Sequence, residues 1–178
     1  MSDAWLVVVD VQRVFADPSS PWGAPGFARV HPRIRELTAA FGDRVVHTRF
    51  VAPAEPAGAW VDYYAQWPFA LLPPDAPLYA LVDDPAGAPV LDATTFGKWG
   101  PELAALVGDA PLVLAGVATD CCVLSTALAA ADAGRAVQVV TDACAGGTDT
   151  DHQRALDAMA LYGPLITLRT TAEVLAGR

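Results

Sequence analysis

Short aliphatic runs punctuate the chain at residues 6–9, 45–46, 89–91, 112–114, 137–140 and 165–168. They are rich in valine and leucine and show no strict alternation of apolar and polar positions. Such runs suit strands buried on both faces. Between them lie stretches with helical spacing, over 32–41, 101–107, 122–133 and 151–161. Strands that alternate with helices predict βαβ units and a parallel sheet covered on both sides. Right-handed crossovers narrow this to a doubly wound α/β fold. Two segments resist the pattern. Residues 17–27 are rich in Pro, Ser and Gly, and 52–88 are rich in proline and carry Trp60, Tyr63, Tyr64, Trp67 and Phe69. Loops of that length are uncommon and often functional.

No linker or internal repeat divides the 178 residues, so residues 1–178 read as a single domain. Hydrophobic residues make up 53% and charged residues 17%, which argues against disorder. The net charge is −9, with an isoelectric point near 4.5. That charge disfavours nucleic acid and anionic membrane as partners. No apolar run approaches the roughly 20 residues that span a bilayer, and no signal-peptide pattern opens the sequence. Three cysteines without a paired framework fit a reducing compartment. A cytoplasmic location is the expectation.

The chemistry-bearing residues are few. Asp10 directly follows the first strand, and ligands of open parallel sheets bind beyond the carboxyl ends of strands. A turn or capping aspartate is the plainer alternative. Residues 112–122 read as a strand, a tight turn and the start of a helix, ending in Cys121 and Cys122. A cysteine in the first turn of a helix meets the positive end of the dipole, which favours the thiolate. The backbone N–H groups there suit an oxyanion. A buried, inert cysteine is the competing reading. Leu124, Leu128 and Ala131 suggest an apolar stripe that includes Cys121, and Cys122 then points about 100° away. On that argument Cys121 is core and Cys122 the candidate nucleophile. Lys98 is the only lysine, against ten arginines. Its compact ammonium suits a site where the planar, always-charged guanidinium does not, although a surface lysine fits equally. No metal-binding or phosphate-loop spacing is present, so neither a metal nor a cofactor is expected.

Taken together, Val8-Val9-Asp10-Val11-Gln12-Arg13-Val14-Phe15, Gly116-Val117-Ala118-Thr119-Asp120-Cys121-Cys122-Val123-Leu124-Ser125-Thr126-Ala127 and Val140-Thr141-Asp142-Ala143-Cys144-Ala145 resemble the motifs of the isochorismatase-like cysteine hydrolase superfamily. That group includes nicotinamidases and N-carbamoylsarcosine amidases, and the similarity covers most of the chain. It implies a six-stranded parallel sheet ordered 3-2-1-4-5-6, with helices on both faces and a cis peptide at Val117–Ala118. It also selects Cys122, two residues before Leu124, as nucleophile.

The resemblance departs from the family pattern in two places. The family lysine falls near Ala93, whereas Lys98 stands about one helical turn later. The Asp-x-His metal motif of nicotinamidases is replaced by His47-Thr48-Arg49-Phe50-Val51-Ala52-Pro53.

The reading is a cysteine-dependent hydrolase of small carboxamide or ureido C–N bonds, acting through a thioester. Asp10 is the base, Lys98 its support and Cys122 the nucleophile. Val117, Ala118 and Cys122 supply the oxyanion backbone. Gln12, Phe15, Trp60, Tyr64 and Phe96 form the expected substrate pocket, with packing of a dimer interface as the alternative for the aromatic rings. A homo-oligomer, dimer or tetramer, is expected. The alternatives are an isochorismatase-type vinyl-ether hydrolase, which has no need of the cysteine, and a non-catalytic binding protein on the same fold.

Overall fold

The computed structural model describes residues 3–178. Six parallel strands form one sheet: β1 (Trp5–Val9), β2 (Val45–Phe50), β3 (Val90–Ala93), β4 (Leu112–Val117), β5 (Val137–Ala145) and β6 (Ile166–Arg169). Their spatial order is β3-β2-β1-β4-β5-β6, the doubly wound order expected from the sequence. The helices are α1 (Arg13–Ala16), α2 (Phe27–Phe41), α3 (Trp60–Gln66), α4 (Pro101–Val107), α5 (Leu124–Asp132), α6 (Asp149–Ala160) and α7 (Thr171–Ala176).

The pleat of the strands divides the core in two. Leu6, Val8, Val113 and Ala115 face α2 and α7, joined by Ile34, Leu37 and Val174. Val7, Val9, Leu112 and Leu114 face the other way, onto Leu103 of α4, Ala127 and Ala130 of α5 and Met159 of α6. Both faces are dry, which is why the strands read as continuous apolar runs rather than alternating ones. The two strands at the switch point pair from Trp5↔Leu112 to Val9↔Gly116. The first residue past β1 is therefore held beside the end of β4.

Several boundaries differ from the sequence expectation. The helix expected from Pro32 begins at Phe27, with Pro32 inside it. A proline interrupts the N–H ladder, but burial of Phe27 and Val30, each worth about 2 kcal/mol, favours the longer helix. β5 runs on to Ala145, so Cys144 lies within the strand. The residues before α5 are not α-helical. Thr119–Val123 form a π-helical turn, and the buried side of α5 carries Thr126, Ala127, Ala130 and Ala131. The expected stripe of Leu124, Leu128 and Ala131 is thus misplaced, because an inserted π-turn shifts the register of every following side chain. Leu124 and Leu128 are half-buried.

Gly116 is the point of closest approach between β1 and β4. Its φ of +134° lies in the glycine region, and a Cβ there would sit 2.1 Å from the Val9 carbonyl oxygen. Gly116→Ala should lower stability by at least about 2 kcal/mol, through backbone strain and the clash together. Denaturant unfolding of the variant measures this, and an unchanged midpoint would contradict the packing described.

Candidate active site

Asp10 follows β1 with φ +50° and is fully buried. A buried carboxylate persists only when other groups replace its water. Thr48 of β2 does part of this: its hydroxyl donates to Asp10 Oδ1 at 2.7 Å and accepts from the Asp10 N–H at 3.2 Å. Lys98 supplies the countercharge, with Nζ 3.0 Å from Asp10 Oδ2 and a side chain only 1% exposed. The ammonium also donates to the Thr95 carbonyl at 2.7 Å and lies 5.1 Å from the centre of the Phe50 ring. Oδ2 receives no well-angled hydrogen bond.

Lys98 reaches this position from the loop between β3 and α4. Its backbone N–H donates to the Thr126 hydroxyl at 2.9 Å, and that hydroxyl donates to the Cys122 carbonyl at 2.6 Å. One threonine thus ties the lysine loop to the turn that carries the cysteine. Thr119, at the head of that turn, is fully buried and shares a 2.8 Å hydrogen bond with His152 Nδ1 of α6. The peptide Val117–Ala118, just before the turn, is cis.

Cys122 is 3% exposed. Burial, and then the Asp10 carboxylate, push its thiol well above the ordinary range; Lys98 offsets only part of this. The dipole argument anticipated a thiolate. Burial acts the other way, because desolvation disfavours the anion. The helical-face argument placed Cys121 in the core and Cys122 away from it. The π-turn reverses their burial: Cys122 packs into the second core, Cys121 is half-exposed, and both border the same cavity. Cys121 is also pushed up, to about 11, by burial and the neighbouring Asp120. What separates the two is Asp10, which acts on Cys122.

The cavity has a volume of about 220 Å³. Phe15, Trp22, Phe50, Tyr63, Trp67 and Phe96 form its aromatic wall, and Ala118, Asp120, Cys121, Cys122 and Gly147 border its polar side. Phe15 and Phe96 stand where the sequence placed them. Trp60 and Tyr64 do not line it; they pack behind it, with ring centres 6.2 Å apart. On the short helix α3, Tyr63 and the following Trp67 present their rings instead, again four residues apart. Gln12 is fully buried and committed elsewhere. Its amide accepts from Phe50 N–H at 2.8 Å and donates to the carbonyls of Phe50 at 3.0 Å and Tyr79 at 2.9 Å. It clamps the end of β2 to the long loop and is not among the residues that line the cavity.

Sequence reasoning missed Thr48, Thr126 and Trp22. The two threonines are polar residues inside otherwise buried elements, and that was their available signal. Trp22 lies in the Pro/Ser/Gly segment after β1, yet its ring meets Phe15, Phe50, Tyr63, Trp67 and Phe69 at 5.1–6.2 Å.

Among the described residues, no group of three or more His, Cys, Asp or Glu is placed to hold a metal ion. The end of β2 offers Phe50, Val51 and Ala52, all buried in the first core. These side chains do not fit a metal centre. Among the described residues no helix is long and apolar enough to cross a membrane.

Comparison with known proteins agrees with the geometry. The structure resembles a cysteine hydrolase from Pseudomonas syringae pv. phaseolicola 1448A, with a TM-score of 0.87 and 20% identity over 98% of this chain and 92% of that one. It also resembles the pyrazinamidase of Pyrococcus horikoshii, solved in complex with zinc, with a TM-score of 0.76 and 25% identity over 94% of this chain and 99% of that one. In sequence, 78 residues are 36% identical to isochorismatase domain-containing protein 2 of Xenopus laevis, a match spanning 42% of this chain and 38% of that protein. The isochorismatase domain model matches residues 4–172, nearly the whole chain, and the protein belongs to the isochorismatase family of hydrolases.

Proposed function

We propose that this protein hydrolyses a C–N bond of a small carboxamide or urea-type substrate, with Cys122 as nucleophile. The observation that carries the reading is the buried contact between Asp10 and Lys98 close to Cys122, whose thiol is pushed up by burial and by the Asp10 carboxylate. A neutral thiol is a weak nucleophile until a base takes its proton. Asp10 Oδ2, free of well-angled donors, is that base. The Cys122 sulfur attacks the carbonyl carbon as the proton passes to Asp10. Backbone N–H groups at Ala118 and Cys122 then receive the oxyanion. The tetrahedral adduct collapses, and Asp10 returns the proton to the leaving nitrogen, releasing ammonia or an amine. Water attacks the thioester with Asp10 again as base, which frees the acid and restores the thiol. Lys98 keeps Asp10 oriented and compensates its charge throughout. The aromatic wall keeps bulk water from the sulfur, which strengthens these local interactions. The likeness to a cysteine hydrolase and to a pyrazinamidase supports the reaction class.

A screen of compact amides and ureas for ammonia release tests the proposal. Cys122→Ala should lower the rate by at least about 10³-fold while unfolding near the wild-type midpoint. Cys121→Ala should keep most of the rate. The reverse pattern would move the nucleophile to Cys121.

The ion pair gives a prediction that separates chemistry from folding. Asp10→Asn leaves the Lys98 ammonium buried without a countercharge and should cost about 3–5 kcal/mol of stability as well as the activity. In Asp10→Asn/Lys98→Met both charges are gone, so most of the stability should return and none of the activity. Recovery of activity in the double variant would remove Asp10 from the mechanism.

Titration follows from the Cys122 environment. Ultraviolet thiolate absorbance, taken as wild type minus Cys122→Ser, should be absent at neutral pH. It should rise only above the ordinary thiol value of 9.0. A thiolate already present at neutral pH would show that Lys98, not Asp10, dominates the sulfur.

A further inference from the structure

We infer that Asp120 selects the substrate, so that the site accepts amides whose remote end is cationic or uncharged and rejects those bearing a carboxylate. This rests on reading Cys122 as the nucleophile of an amide hydrolase. Among the described residues, Asp120 is the only charged side chain that lines the 220 Å³ cavity, and no lysine, arginine or histidine borders it. The nearest buried cation, Lys98, is already engaged by Asp10 and the Thr95 carbonyl. It has no unshared charge to offer a ligand.

The Asp120 carboxylate is fixed in place yet incompletely used. Oδ1 accepts the Gly147 N–H at 2.9 Å. The Gly146–Gly147 turn presses closely enough that a Cβ on Gly146 would lie 2.6 Å from Oδ1. Oδ2 meets the Cys121 sulfhydryl at 3.8 Å, a weak donor, and the carboxylate also acts through its charge on the neighbouring His152 ring. Asp149 and Asp151, at the start of α6, are paired on the surface with Arg29 and Arg154 at 3.1 and 3.0 Å.

The rest of the wall adds to the same preference. Phe15, Trp22, Tyr63, Trp67 and Phe96 present aromatic rings to the cavity. Ring faces carry negative potential and attract cations. A ligand carboxylate would lose its water against these rings and beside Asp120, with no side-chain cation to replace it. A planar ring bearing one small substituent matches the volume, and a cation or N–H donor on that ring matches the free oxygen of Asp120.

Three probes of similar shape test this: 1-methylnicotinamide, a planar cation; 3-methylbenzamide, its neutral counterpart; and 3-carbamoylbenzoate, an anion. Binding is read from quenching of tryptophan fluorescence in Cys122→Ala, since Trp22 and Trp67 line the cavity. The cation should bind about fivefold or more tighter than the neutral amide. The anion should bind at least about tenfold more weakly. Asp120→Asn in the same background keeps an acceptor for Gly147, and should bring the cation to within about twofold of the neutral amide. Overturning results are an anion that binds as well as the neutral probe, a cation preference that survives Asp120→Asn, or no binding of any probe. Ammonia release by wild-type protein is read separately. Charge-ordered binding without turnover would remove the amidase reading and leave the selectivity. Turnover without charge order would do the opposite.

Discussion

The contact between Asp10 and Lys98 is the constraint on which the rest of the site depends. Two opposite charges are withdrawn from water between strands that are otherwise aliphatic. Desolvation of either alone would cost several kcal/mol, so the fold must deliver both together. Asp10 arrives from the end of β1 and Lys98 from the loop after β3, on opposite sides of β2. Strand β2 lies between them in the sheet and contributes Thr48 to the carboxylate and Phe50 to the ammonium. A pair assembled from three segments forms only when the sheet order is correct. This links the chemistry of the site to the topology of the whole domain.

The switch point supplies the remaining partner. β4 runs beside β1 as far as Gly116, and the turn that follows turns Cys122 back toward Asp10. The cysteine is held by burial rather than displayed at a helix tip. Burial pushes its thiol up, which is why the proposed reaction gives it a base. Around this polar centre the long segments after β1 and β2 fold their aromatic residues into a wall. Trp22 is the hub of that cluster, and Gln12 anchors the second loop through backbone groups of Phe50 and Tyr79.

Much of this was legible in the sequence, and the failures have physical causes. Apolar runs announce strands buried on both faces, so a covered parallel sheet was accessible from them; the strand order came from the family resemblance. Asp10 was visible because a charge directly after such a run stands at the end of a strand. Lys98 was visible as a compositional oddity and as a lysine displaced from the family position near Ala93; its place beside Asp10 depends on a loop conformation that no periodicity encodes. Cys122 was chosen with the help of a helical wheel that does not apply, because the π-turn over Thr119–Val123 changes the rotation between neighbours. The loops hid the most. Nothing in the spacing of Trp60 and Tyr64 distinguishes the face that packs from the face that lines the cavity, and Tyr63 and Trp67 share the same spacing. Gln12 was expected in the pocket, yet its amide is consumed by backbone partners.

The central claim is that the C–N bond is broken through a covalent intermediate on Cys122. Mass spectrometry of the intact protein, quenched in acid while it turns over an amide, tests this most directly. The account predicts a mass gain equal to the acyl group, mapped to the peptide carrying Cys122 and reversed by hydroxylamine as a thioester would be. Ammonia release with no acyl adduct, or an adduct located on Cys121, would contradict it.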